Sequence, residues 1–414
     1  MATPLSLLSE QQQQQPQYNH HQQPHSPKPH VDFSIHTIVV PAASASATET
    51  ETEMETEAGT EMETEEEEMV VSTDMETDLE VDELPVTSDE TSDYFSATTG
   101  VHTTASIASS ITEFIYAHGR RYRGQNGYPM PMPNDDIEQE RLELTHYFFL
   151  VLAAGHLHRA PLEIPESREP FRPFRILDCG TGVGTWALDM GEQYPATDII
   201  GVDISAIQPS WTYPNVTFEV DDLELEWTWP DCYFSFIYSR TMNNCIRDYP
   251  LLISRMFTHL TPGGFVEIWE HQLEKYFDLT PEFTDPDAAM LKWYSLYREA
   301  LEKAGIRPMC GDELKAELEG KGFVDVTVKR FKQPFGTWAK TEKMKQVGHL
   351  ALGSMKTGLE AHALELIVRY CGLPYEEVKA LCDASYEELE KGKLRFYNYS
   401  YNVVARKPGW DEEV

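Results

Sequence analysis

The clearest indication of the fold is the segment Arg175-Ile-Leu-Asp178-Cys-Gly180-Thr-Gly182-Val-Gly184-Thr-Trp186. The apolar residues before Asp178 predict a buried β-strand, and the glycines predict a tight loop that opens into a helix. In such an arrangement, backbone N–H groups and a helix N-terminus approach a nucleotide-like ligand. The stretch therefore predicts a nucleotide-type binding site at the carboxyl end of a strand.

Two nucleotide-type ligands, a dinucleotide and S-adenosylmethionine, are the alternatives for this loop. The dinucleotide fingerprint G-x-G-x-x-G requires a glycine at the position where the chain has Thr185. Asp178 lies two residues before Gly180, and a carboxylate there would repel a pyrophosphate but suits a ligand that carries an ammonium group. We therefore expect S-adenosylmethionine to bind at Asp178, Gly180, Gly182 and Gly184, and NAD-dependent oxidoreduction is the disfavoured alternative.

Carboxylates also follow the next two predicted strands. Asp203 closes an apolar run 23 residues after Gly180 and can accept both ribose hydroxyls, with Ile204 beside it. Asp222 follows the third strand and can accept the adenine amino group, while Leu223 packs against the ring. Loops after successive parallel strands lie at one edge of a sheet, so we expect all three loops to converge on one ligand. Taken singly, each acid could instead be a solvated loop carboxylate.

Short apolar strands alternate with helical stretches around this loop. The predicted strands are Arg175–Asp178, Asp198–Asp203, Val216–Val220, Phe234–Tyr238, Gly264–Trp269 and Phe323–Phe331, and the predicted helices include Trp186–Gln193, Pro250–Leu260, Asp285–Ala304 and Asp312–Gly320. This alternation predicts an α/β fold with a doubly wound, mostly parallel sheet that is buried on both faces. The alternating run Phe396–Ala405 predicts a closing antiparallel strand.

The chain divides into three predicted parts. Residues 1–105 are rich in Gln, His and Pro and then in acidic residues, which cannot bury enough apolar area to offset the entropy of ordering, so we expect a disordered acidic tail. Residues 106–170 are predicted to form an N-terminal lid segment and a helix that Asn134 caps. Residues 171–408 are predicted to form the donor-binding domain, with residues 338–393 inserted as a helical cap.

Charge and composition exclude several classes of protein. The formal net charge is −36, and −21 of it lies in residues 1–112. The remaining charge of −15 disfavours a nucleic-acid partner, because phosphate binding needs a basic surface. No apolar run approaches the ~20 residues that span a bilayer, so no membrane contact is expected. Six dispersed cysteines without a C-x-x-C pair disfavour a zinc or disulfide framework and favour a cytoplasmic or nuclear location.

The residues after the fourth and fifth strands are the candidates for catalysis. Methyl transfer from a sulfonium needs a nucleophile in line with the methyl group and, for an alcohol or acid, a route for its proton. The candidates are Ser239, Arg240, Asn243, Asn244 and His271. His271 is the predicted general base because imidazole titrates near neutral pH, with a purely structural role as the alternative. Arg240 would either orient a carboxylate or neutralise nearby acids.

The segment before the first helix is dense in Gly, Arg, Tyr and Pro. Its tyrosines Tyr122 and Tyr128 are predicted to close over the donor and to contact its sulfonium by a cation–π interaction. Ordinary packing of these rings is the alternative. No His, Cys and carboxylate residues have the spacing of a metal site, so no metal is expected.

Together these motifs resemble the class I S-adenosylmethionine-dependent methyltransferases and, more narrowly, the fungal LaeA-like methyltransferases. The resemblance covers about residues 113–408, and its most distinctive element is Ile207-Gln-Pro-Ser-Trp211. It implies a seven-stranded sheet, S-adenosylmethionine as methyl donor and a role in fungal secondary metabolism. The implied function is methylation of a small-molecule metabolite. The implied alternative is a regulator of secondary-metabolite gene expression that acts in the nucleus with velvet-type partner proteins.

Overall fold

The computed structural model describes residues 114–125, 128–168, 173–273, 276–277 and 285–412, which all belong to the unit formed by residues 83–414. The predicted tail, residues 1–105, lies outside the described residues. The strands are β1 (Phe114–Ala117), β2 (Arg120–Gln125), β3 (Tyr128–Pro133), β4 (Phe174–Cys179), β5 (Thr197–Asp203), β6 (Val216–Val220), β7 (Phe234–Arg240), β8 (Leu260–His271), β9 (Tyr276–Phe277), β10 (Val324–Pro334) and β11 (Phe396–Arg406). The helices are α1 (Asp136–Leu152), α2 (Thr185–Gln193), α3 (Tyr249–His259), α4 (Ala289–Lys303), α5 (Asp312–Gly320), α6 (Glu342–Leu366) and α7 (Tyr375–Glu390).

The main sheet is mostly parallel. Among the described residues its seven strands have the order β10-β11-β8-β7-β4-β5-β6. The strands from β8 to β6 run parallel, whereas β11 is antiparallel to both of its neighbours. The short β9 pairs with the start of β11. The predicted α/β fold and the seven-stranded sheet implied by the resemblance are confirmed.

Both faces of this sheet are covered. Consecutive residues of a strand belong to different hydrophobic clusters. In β4, Ile176 belongs to the first cluster and Leu177 to the second; in β7, Phe236 belongs to the first and Ile237 to the second. The first cluster includes residues of α1, α2, α4, α6 and α7, and the second includes residues of α3 and α5. Because each face packs against helices, most residues of the central strands β4 and β7 are buried. The sheet is therefore doubly wound, as predicted.

A small antiparallel sheet of β1, β2 and β3 precedes α1. The N-cap of α1 is Asp135, whose carboxylate accepts a hydrogen bond from the Glu138 N–H at 3.0 Å. Arg120 donates to the same carboxylate twice, at 2.6 and 2.9 Å. The prediction that Asn134 caps this helix is wrong by one residue. The Asn134 amide instead donates to the hydroxyl of Ser205 at 3.3 Å, in the loop after β5.

Residues 338–393 are largely helical, in α6, a π-helical turn (Ile367–Cys371) and α7. A hydrogen bond of 3.1 Å between the Thr145 and Ser354 hydroxyls joins α6 to α1. The indole N–H of Trp293, on α4, donates to the Leu359 carbonyl of α6 at 3.2 Å. These contacts connect α6 to the rest of the fold on two sides. Within the described ranges, no helix is both long and apolar enough to cross a membrane.

Candidate active site

A cavity of about 250 Å³ lies at the edge of the sheet where β4, β5, β7 and β8 end. Because β11 runs antiparallel to β8 and β10, the start of β11 and the end of β10 lie at this same edge. Residues of α1, α4 and α6 supply further walls. Open α/β sheets bind their ligands at the carboxyl ends of their strands. This cavity is therefore the candidate active site.

The glycine loop forms one wall of the cavity, through Gly180 and Gly182. Gly180 has a φ of +72°, and a Cβ atom there would overlap with the thioether of Met242. Gly184 also has a left-handed φ, but it caps α2 and its missing side chain makes room for the ring of Phe218. Gly184 does not line the cavity. The loop therefore contributes two of its three glycines to the cavity and uses the third for packing.

Asp203 lines the cavity at the end of β5, beside Ile204. Its two carboxylate oxygens accept from the backbone N–H groups of Gly182 and Ser205, both at 2.9 Å. Burial raises the pKa of Asp203 to about 6, although these hydrogen bonds favour the ionised form. Each carboxylate oxygen has a second lone pair. Asp203 can therefore hold the loop in place and still accept hydroxyl groups of a ligand.

Gln208 connects the distinctive Gln-Pro-Ser-Trp segment to this loop. Its amide donates to the carbonyls of Gly182 at 2.6 Å and Ser205 at 3.0 Å. Gln208 therefore joins the loops after β4 and β5. Its role was not part of the sequence-based prediction, and Trp211 of the same segment is largely exposed.

Asp222 and Leu223 line the cavity after β6, as does Asp221. The Asp222 carboxylate accepts from the Glu224 N–H at 2.9 Å, which fixes the turn. The Leu223 side chain is buried in the second hydrophobic cluster. The structure thus brings the loops after β4, β5 and β6 to one cavity.

Two further predicted donor contacts are not at the cavity. Asp178 is only 3% exposed, accepts from the Thr181 hydroxyl at 2.6 Å and does not line the cavity, and burial raises its pKa to about 6. Tyr122 is fully buried and does not line the cavity either. The side chain of Tyr128 lies outside the described residues. Asp178 therefore orders the glycine loop through Thr181.

Arg240 lines the cavity at the end of β7, and residues of α1 contact its guanidinium. Its guanidinium lies 5.1 Å from the ring centre of Phe149 and donates to Nδ1 of His146 at 3.3 Å. Nε2 of His146 is 2.8 Å from the Asp189 carboxylate, which only accepts, so Nε2 carries the proton. Burial lowers the pKa of His146 and keeps it neutral. Asp189 and His146 therefore fix the orientation of Arg240.

His271 lines the cavity at the end of β8. The Ser400 hydroxyl donates to the amide oxygen of Gln333 at 2.9 Å, so it accepts from Nδ1–H of His271 at 3.0 Å. This tautomer leaves the lone pair of Nε2 available. Burial, with the nearby His362, Arg141 and Arg240, lowers the pKa of His271 to about 3. The imidazole is therefore neutral across the physiological range.

The remaining predicted candidates differ in their surroundings. Asn244 lines the cavity, whereas Ser239 is fully buried and does not line it. Asn243 lines the cavity, but its side-chain amide donates to the Met309 carbonyl at 2.8 Å and accepts from the Met309 N–H at 2.9 Å. Asn243 is therefore a structural residue of this wall.

Several cavity residues were missed by sequence reasoning. Arg141 forms a bidentate ion pair with Glu138, at 2.6 and 2.8 Å. His362 donates from Nδ1 to the Gly358 carbonyl at 2.6 Å, and burial lowers its pKa to about 4. Glu270 accepts from the Met242 N–H and the Tyr249 hydroxyl, both at 2.8 Å, and burial raises its pKa to about 8. The pairing of Glu138 and Arg141 three residues apart on α1 is a signal that the sequence carried.

Comparison with known proteins identifies the family. A family described as "Methyltransferase domain" matches residues 145–328. The methyltransferase pytC of Aspergillus terreus is 36% identical over 304 residues, which cover 73% of this chain and 91% of the relative. The secondary metabolism regulator LAE1 of Cochliobolus heterostrophus is 31% identical over 296 residues, which cover 70% and 94%.

Among solved structures, phosphoethanolamine N-methyltransferase 2 of Haemonchus contortus in complex with S-adenosyl-L-methionine aligns with a TM-score of 0.35 and 17% identity, over 65% of this chain and 52% of that chain. The two fungal relatives each match about 300 residues of this chain. The chain is therefore a methyltransferase whose methyl donor is S-adenosylmethionine, and it belongs to the LaeA-like branch of the class I methyltransferases.

Proposed function

We propose that this protein transfers the methyl group of S-adenosylmethionine to a hydroxyl oxygen of a small, largely apolar metabolite of fungal secondary metabolism. The observation that carries the proposal is a single cavity that joins the glycine loop to an aromatic pocket beneath α4 and α6. Helices cover that pocket, so it admits a small molecule rather than a nucleic-acid strand or a lipid surface. The reaction takes place in the cytoplasm or the nucleus.

The donor would be held by the loops after β4, β5 and β6. The carboxylate of Asp203 retains lone pairs for the two ribose hydroxyls, and the loop of Asp222 and Leu223 borders the position of the base. Backbone groups at Gly180 and Gly182 can approach the ligand closely because no Cβ atom intervenes. When bound, S-adenosylmethionine supplies a methyl group activated by a sulfonium.

The acceptor would lie against His271 and Arg240. Nε2 of His271 is a neutral acceptor that can take a hydrogen bond from the reacting hydroxyl and so orient its oxygen. Because its low pKa makes this imidazole a weak base, the hydroxyl proton would pass to water as the new C–O bond forms. Arg240, fixed by His146 and Phe149, orients a polar group of the acceptor. Positioning of this kind can supply much of the rate enhancement.

The test combines donor binding with product detection. Purified protein should bind S-adenosylhomocysteine in a calorimeter and, with a methyl-labelled donor and an extract of fungal metabolites, should give one labelled small molecule. The His271→Phe variant should keep donor binding and lose the labelled product. Donor binding by a correctly folded protein without a labelled product from any extract would contradict the acceptor class.

A second candidate function rests on the 31% identity to LAE1, which is named as a secondary metabolism regulator. In that role the acidic residues 1–105 would contact a velvet-type partner protein in the nucleus. Deletion of residues 1–105 should then remove the partner from a pull-down and leave the affinity for S-adenosylhomocysteine unchanged. Recovery of the same partner by the shortened protein would argue against a binding role for this segment.

A further inference from the structure

One face of β11 carries a row of buried polar side chains, Asn398, Ser400 and Asn402. Asn402 donates to the buried carboxylate of Glu267 at 2.8 Å, and Ser400 is bonded to Gln333 and His271. The amide of Asn398 differs from its neighbours. It is 6% exposed, and its Oδ1 is buried without a hydrogen-bond partner.

A second buried polar atom without a partner belongs to another residue that lines the cavity. Tyr297, on α4, is 2% exposed, and its hydroxyl is buried without a hydrogen-bond partner. Both Tyr297 and Asn398 line the cavity. A buried polar group without a partner destabilises the folded state, and such groups are rare in native proteins. Two such atoms on residues that line one cavity point to a ligand whose polar groups bond to them.

We infer that Asn398 and Tyr297 bind a hydroxyl group of the methyl acceptor other than the one that is methylated. An amide and a phenol can each donate and accept, and a hydroxyl group can do the same. This inference rests on the proposed function, because it assigns part of the acceptor pocket. It makes both side chains specificity-determining residues.

Sheet order separates this subsite from the donor loops. β11 lies three strand positions away from β4, which is about 14 Å at the usual strand spacing. His271, on β8, lies between the two, so it faces the reacting hydroxyl while Asn398 holds the far end of the acceptor. The aromatic walls of the cavity include Trp293, Phe335 and Phe396.

These walls define the chemical class of the acceptor. The aromatic side chains favour a flat apolar ring system. The acceptor is therefore an aromatic molecule with at least two hydroxyl groups. One hydroxyl receives the methyl group, and the other binds Asn398 and Tyr297.

Three probes of one shape test this assignment: a naphthalenediol, its monomethyl ether and its dimethyl ether. Their affinities are measured by calorimetry with the full-length protein saturated with S-adenosylhomocysteine. Wild-type protein should bind the diol most tightly and lose about 10-fold in affinity for each hydrogen bond removed. Asn398→Leu should bind the diol about 10-fold more weakly and the dimethyl ether as tightly as the wild type.

The Tyr297→Phe variant provides an independent test of the inference if Asn398→Leu fails to fold. It removes only a hydroxyl that bonds to no protein group, so folding should be unaffected, and the diol should again bind about 10-fold more weakly. Tyr399→Phe makes the same change on the opposite face of β11 and should alter no affinity. Unchanged affinity of both cavity variants for the diol would overturn the inference. Loss of S-adenosylhomocysteine binding by the wild type would instead contradict the proposed function.

Discussion

Single side chains set the charge of the cavity through their burial. Burial raises the pKa of Glu270 to about 8 and that of Asp203 to about 6, and it lowers the pKa of His271 to about 3 and that of His362 to about 4. At neutral pH both imidazoles are uncharged and Glu270 is largely protonated. The cavity therefore carries less charge than its residue types suggest, which suits an apolar acceptor.

Replacement of Asp203 by Asn should weaken donor binding. The amide cannot accept at both positions, so the affinity for S-adenosylhomocysteine should fall by about 1–3 kcal/mol, measured by calorimetry. Asp198 lies at the opposite end of the same strand and pairs with Arg168. Asp198→Asn is the matched control and should leave the affinity unchanged. An equal loss in both variants would indicate a general effect on β5.

Replacement of Glu270 by Gln should change how stability depends on pH. The folded-state pKa of Glu270, about 8, lies above the ordinary value of 4.5 for a glutamate, so its protonated form stabilises the fold at low pH and this stability is lost as the pH rises through 8. In Glu270→Gln the free energy of unfolding should fall less steeply between pH 5 and 8, by up to about 1.4 kcal/mol per pH unit. Urea titrations at several pH values measure this slope. Identical slopes in both proteins would show that Glu270 ionises normally.

At the scale of elements, the start of α1 connects the small sheet to the cavity. Asp135 caps the helix and pairs with Arg120, which is 6% exposed. The adjacent Asn134 lines the cavity and bonds to Ser205 after β5. One helix terminus therefore positions both β2 and the loop that follows Asp203.

Asp135→Ala should destabilise the protein more than the loss of an ordinary helix cap. The variant removes the cap and leaves the Arg120 guanidinium buried without its partner, for which about 3 kcal/mol is expected. Thr341→Ala removes the exposed cap of α6 alone, where Thr341 accepts from the Met344 N–H at 3.3 Å, and should cost about 1 kcal/mol. Urea unfolding compares the two variants. Equal losses in the free energy of unfolding would mean that the ion pair between Arg120 and Asp135 contributes little to stability.

Local signals predicted the elements better than they predicted the site. The strands and helices follow from apolar runs bounded by Gly and Pro, and Val216–Val220 and Asp312–Gly320 match the structure at both ends. Asp203 and Asp222 reach the cavity because their places at strand ends fix where they point. Asp178 does not, since its bond to Thr181 is set by the fold of the loop. The role of Asn398 depends on which strands pair with β11. Those strands are distant in sequence, so the pairing cannot be predicted from the residues around Asn398.

At the scale of the whole molecule, the cavity is assembled from distant parts of one chain. Its walls come from β3 and α1 near the start of the described residues and from β11 near their end. The donor loops and the helices of residues 338–393 share these walls. That residues 338–393 form a helical cap inserted into the donor-binding domain stays a prediction, and thermal unfolding can test whether they unfold together with that domain.

Thermal unfolding should occur in one transition that the donor product shifts. S-adenosylhomocysteine at 100 times its dissociation constant should raise the free energy of unfolding by about 2.7 kcal/mol. Because residues 83–414 form one unit, the whole signal should move together in calorimetry. Two transitions, of which one has a midpoint temperature that S-adenosylhomocysteine does not change, would show that residues 338–393 unfold independently.

The position of β11 has a consequence for synthesis on the ribosome. Of the described strands, β11 is the last to be synthesised, yet it lies between β8 and β10, which are made earlier. Until it arrives, two rows of backbone N–H and C=O groups have no neighbour, and open edges of this kind promote aggregation. We expect a product that stops before residue 396 to precipitate rather than survive as a partial enzyme, which a solubility assay of the shortened chain would show.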